Sequence, residues 1–75
     1  MGITKYKKSL ESQGCICKRV NGDYYALKDG QFYMFDVDWL GETSIVNIDI
    51  THYKTELQQR IYKAFKISEG AKNEA

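Results

Sequence analysis

Apolar residues recur along this chain at spacings that shift from helical to extended and back again. Ile3, Tyr6 and Leu10 stand three and four residues apart, the period of one helical face, and Gly14 follows where a helix end favours a left-handed residue. This pattern predicts a helix over residues 3–13. From Cys15 onward the apolar positions alternate in short runs separated by Asn21-Gly22, Asp29-Gly30 and Leu40-Gly41. Asn-Gly and Asp-Gly are strong hairpin signals, because both central residues of a type I′ turn need positive φ. Strands are therefore expected at 15–20, 23–28, 31–39 and 44–50. Thr51 then reads as the N-cap of a second helix, whose apolar stripe is Tyr53, Leu57, Ile61, Ala64 and Phe65.

The order is α-β-β-β-β-α. It implies an α+β fold with a four-stranded antiparallel meander sheet, the C-terminal helix packed on one face and the N-terminal helix on or beside the sheet. Residues 1–68 are read as one domain, and the polar residues 69–75, without periodicity, as a frayed tail.

Turn lengths predict which side chains share a face. Two-residue turns set Cys17 against Ala26, Ala26 against Tyr33, and Tyr24 against Phe35. A four-residue connection over 40–43 would set Val37 against Val46 and Phe35 against Ile48. One face then collects Cys15, Cys17, Tyr24, Ala26, Tyr33, Phe35, Val37, Trp39, Val46, Ile48 and Ile50, the expected core beneath the second helix. The opposite face divides into an apolar half, with Ile16, Val20, Tyr25, Leu27, Phe32 and Met34, and an acidic half, with Asp36, Asp38, Asn47 and Asp49 and with Ile45 between them. Either the first helix covers the apolar half or another chain does, since contiguous exposed apolar patches mark interaction sites.

Composition narrows the class. A chain of 75 residues holds one small core, and 43% hydrophobic with 28% charged residues is ordinary for a globular protein. Cys15 and Cys17 alternate within one strand, so they are expected as reduced thiols. The start of the chain lacks the order of a signal peptide and no apolar run reaches the length of a membrane helix, so the expected location is cytoplasmic, without a membrane partner.

The formal charge of +1 conceals a division. Residues 1–20 carry Lys5, Lys7, Lys8, Lys18 and Arg19 against Glu11, whereas residues 21–50 carry Asp23, Asp29, Asp36, Asp38, Glu42 and Asp49 against Lys28. A negative sheet beside an apolar patch suits a partner with a basic surface.

Candidate chemistry is sparse. His52 is the single histidine, and the expected strand order holds it far from both cysteines, so no nucleophile and base pair forms. Three Cys and His residues in all fall short of a structural zinc set, and Asp36-x-Asp38 with Glu42 lacks a calcium-loop pattern. The chain is read as non-enzymatic, with no catalytic residues, metal or cofactor.

The sequence thus favours a small protein-binding module, of the kind common among phage and mobile-element proteins that bind and inhibit or modulate a bacterial host protein. Its expected surface is Val20, Tyr25, Leu27, Phe32, Met34, Asp36, Asp38 and Asp49, aromatics and Met at the centre and charges at the rim. A single-stranded nucleic-acid binder stacking bases on Tyr25 and Phe32 is the first alternative, set back by the three aspartates that would repel phosphates. An obligate homodimer burying the apolar half-face is the second.

Overall fold

The computed structural model describes residues 2–67, so the tail assigned to 69–75 lies outside the described residues. Helix α1 spans Ile3–Ser12, strands β1 to β4 span Ile16–Val20, Asp23–Lys28, Gln31–Val37 and Thr43–Ile48, a 3-10 turn spans Ile50–His52, and helix α2 spans Thr55–Ala64. The strands form one antiparallel sheet in the order β1-β2-β3-β4. Fold class and element order are those expected from the sequence.

Local chemistry accounts for most boundaries. At the end of α1, Gly14 takes φ +95° and donates to the Glu11 carbonyl, while Cys15 donates to Leu10, the paired bonds of a Schellman ending. Asn21 and Gly22, then Asp29 and Gly30, all have positive φ, as type I′ turns require. These two hairpins carry the predicted register: Cys17 faces Ala26, Ala26 faces Tyr33, and Tyr24 faces Phe35.

The third hairpin departs from expectation. Asp38 donates its N–H to the Glu42 carbonyl and Gly41 donates back to the Asp38 carbonyl, closing a three-residue loop of Trp39, Leu40 and Gly41. Gly41 supplies the left-handed residue, φ +83°, that such loops need. Val37 consequently pairs with Thr43 instead of Val46, and Phe35 with Ile45 instead of Ile48. The shift is three residues. Because a strand's side chains alternate, an odd shift exchanges every side chain of β4 between the faces.

Helix placement also differs from the sequence reading. The face bearing Cys17, Ala26 and Phe35 is covered by α1 through Leu10, with Ile3 and Tyr6 beside it; the Tyr6 ring meets Phe35 edge-on at 5.8 Å. The opposite face, expected to be covered by the first helix or by another chain, is covered by α2. There Val20, Tyr25 and Phe32 pack with Ile50, Ile61, Tyr62 and Phe65, flanked by Leu27, Met34, Ile48 and Leu57. The longer apolar stripe of α2 has found the larger rings. The helix itself begins four residues after Thr51, because Asp49 accepts the Thr51 N–H and caps the 3-10 turn first.

Candidate functional site

The structure redistributes the eight residues assigned to a partner surface. Tyr25 is 1% exposed and Phe32 6%, and Val20 is buried beside them; all three belong to the core under α2. Leu27 and Met34 are partly buried against the same core. These five positions are corrected: a face covered by a helix offers no rings to a partner or to bases. Phe32 is held edge-on by Phe65 at 5.3 Å and by Tyr62 at 6.3 Å.

The three aspartates remain exposed, and each is tied to its local backbone. Asp36 Oδ1 accepts the Val37 N–H at 2.8 Å. Asp38 Oδ1 accepts from both Leu40 and Glu42, each at 2.9 Å, which makes it the clamp of the third hairpin. Asp49 caps the 3-10 turn, with His52 Nε2 3.5 Å from its second oxygen. Three carboxylates committed in this way form no common ligand shell. Among the described residues no group of Asp, Glu, Cys and His gathers in a metal-binding arrangement.

The exposed apolar residues are concentrated elsewhere. Trp39 is 90% exposed and Leu40 67%, both presented by the loop that Asp38 clamps. Next to them, every residue of β4 from Thr43 to Asn47 is exposed, with Val46 at 56%. Sequence reasoning had placed Trp39 and Val46 in the core. The missed signal was the turn itself: an Asp opening a short loop and a Gly three positions on, which shortens the connection and turns Trp39 into solvent.

β4 is also an open edge. It neighbours only β3 in the sheet, and the bond from Asp38 N–H to Glu42 C=O sets the phase of their ladder. In an antiparallel pair the bonded positions recur every second residue. Ser44, Val46 and Ile48 therefore direct their backbone groups to β3, and Thr43, Ile45 and Asn47 direct theirs outward. Edge strands are commonly guarded by Lys, Pro or a bulge. Thr43–Ile48 has no charge, no proline and no glycine, and its ladder with β3 runs unbroken. At its far end lies a cleft of about 300 Å³ walled by Gly30, Gln31, Phe32 and the 47–50 segment.

Both cysteines are free thiols, Cys17 buried and Cys15 partly so. Burial, then the nearby Glu11 carboxylate, pushes the Cys17 thiol up to about 11, which suits packing and opposes nucleophilic use. β1 and β4 are opposite edges of the sheet, so His52, just beyond β4, is remote from both thiols along the strand order. No helix among the described residues is long and apolar enough to cross a membrane.

Compared with known protein families, curated proteins and solved structures, the chain matches none of them.

Proposed function

We propose that this chain is a small, non-enzymatic protein-binding module that takes an extended segment of a partner onto the open β4 edge. The observation that carries this reading is the unguarded strand, whose outward N–H and C=O groups at Thr43, Ile45 and Asn47 form a template for one more strand. Beside it the loop whose backbone Asp38 clamps presents Trp39 and Leu40 to solvent, and an exposed aromatic of this kind is a common anchor at interfaces. A small module of this sort fits a phage or mobile-element protein that occupies and modulates a host protein. The nucleic-acid alternative loses its stacking residues, because Tyr25 and Phe32 lie under α2.

Affinity capture from nuclease-treated bacterial lysate tests the proposal with wild type beside Ile45→Pro and Trp39→Ala. Proline at 45 removes an outward N–H and no bond of the β3 ladder, so the fold, checked by circular dichroism, should hold. One protein retained near stoichiometrically by wild type and lost with Ile45→Pro is the expected result. Equal retention by that variant removes the β4 edge from the proposal.

A further inference from the structure

From Asp29 through Tyr53 the chain contains Asp29, Asp36, Asp38, Glu42 and Asp49 and no Lys or Arg. Asp38 and Glu42 close the loop end of β4, Asp36 stands on β3 across from Ser44, and Asp49 follows the other end of the strand. The edge thus has a neutral centre and carboxylates at both ends. On the opposite edge the exposed charges are cationic: Lys18 and Arg19 stand on β1, and Arg60 reaches Asn21 at 3.0 Å just beyond its end.

We infer that the occupant of the β4 edge is an extended basic segment of a partner protein, uncharged and β-branched at its centre and flanked by Lys or Arg. This inference rests on the protein-binding reading of β4. Thr43 to Asn47 set the length of the bonded core at five residues, about 17 Å of strand at ~3.4 Å per residue. Flanking cations fall beside Asp38 and Glu42 at one end and Asp49 at the other, where the cleft has room for a long side chain. Trp39 next to Asp38 adds an exposed ring face for a Lys or Arg.

Charge also argues against a second copy as occupant. Two β4 strands paired antiparallel about Ile45 would set Glu42 of each copy across from Ile48 of the other, one residue from its Asp49, and so gather the carboxylates of both copies at both ends. Like-charge juxtaposition of this kind opposes association. A nucleic acid meets the same repulsion through its phosphates.

The test uses the full chain and three capped synthetic peptides: Lys-Thr-Val-Thr-Val-Thr-Lys, its twin with Glu at both ends, and the Lys peptide N-methylated at alternate central residues. Trp39 fluorescence and backbone amide shifts report binding. The Lys peptide should bind about tenfold tighter than the Glu peptide in dilute salt, with the difference shrinking as salt rises. Its amide shifts should centre on Thr43, Ile45 and Asn47, and N-methylation should abolish them. Equal affinity of the two peptides, no Lys-peptide binding at about 1 mM, shifts confined to the helices, or a dimer in sedimentation without peptide would each overturn the inference. Displacement of the Lys peptide by a dT oligonucleotide would do the same. If Ile45→Pro abolishes capture from lysate while the Lys peptide has no advantage, the basic specificity fails and the protein-binding module stands. If Ile45→Pro captures as wild type does, both fail.

Discussion

The two edges of the sheet are built to opposite specifications. β1 ends the sheet with Lys18 and Arg19 exposed, and both helices pack against it. β4 ends it with an uncharged run exposed from Thr43 to Asn47, flanked by acids. Charge is one of the ways in which a protein keeps an edge from pairing with other chains, and β1 carries it where β4 does not. Where one edge is guarded by cations and the other is not, the unguarded one is the place to look for a partner. The same contrast separates the rings that build the core from the ring that is free to bind: Phe32 and Tyr25 lie under α2, and Trp39 stands in solvent.

The largest expected effect probes the core side of this contrast. Truncating Phe32 to Ala removes a ring packed by Phe65 and Tyr62 and should cost roughly 3–5 kcal/mol in chemical denaturation. Val46→Ala, at an exposed position of β4, should stay within about 0.5 kcal/mol. A small Phe32 effect would mean that α2 does not cover this face.

Alkaline pH should act next in size. With its folded-state pKa raised to about 11, the Cys17 thiol stays neutral in the fold after it ionises in the unfolded chain. Its stabilising contribution is complete below about pH 8.5 and is lost progressively as pH rises toward 11. Tyr25, raised by burial and then by Asp23, pushes in the same direction at higher pH. Urea melts at stepped pH, with Cys17→Ala as reference, should show a smaller loss over that window in the variant; the same loss in both would detach the effect from Cys17.

Releasing the loop clamp should be milder. Asp38→Ala leaves the Leu40 and Glu42 N–H groups to water and should cost about 1 kcal/mol, with faster Trp39 motion in fluorescence anisotropy. Unchanged anisotropy would show that the loop is held without its clamp. Ile45→Pro should cost no more than the clamp, about 1 kcal/mol or less, because the lost N–H points away from β3. A collapse of the fold with Ile45→Pro would contradict the phase assigned to the β4 ladder.

How far the sequence reached depended on the chemistry of its turns. Asn21-Gly22 and Asp29-Gly30 announce their turn type through two residues that accept positive φ, so the first three strands fell into register. The third connection announces itself through a side chain, Asp38, acting on N–H groups two and four residues away. Counting Leu40–Gly41 as part of a longer loop misplaced β4 by three residues and reversed its faces. The helices were found by their stripes, but which stripe takes which face depends on packing: α2 covers Tyr25 and Phe32, and α1 covers Ala26 and Phe35. The acidic character of the β3–β4 half was fully legible in the sequence. Its alignment along an open edge was not, since that required the strand order.

The central claim is that β4 is the binding edge, and amide hydrogen exchange with and without the Lys-flanked peptide tests it most directly. In the free chain Ser44, Val46 and Ile48 should be protected while Thr43, Ile45 and Asn47 exchange rapidly. On binding, the three fast amides should slow, and those of β1 should keep their rates. Unchanged exchange at Thr43, Ile45 and Asn47, with new protection on β1 or the helices, would contradict the account.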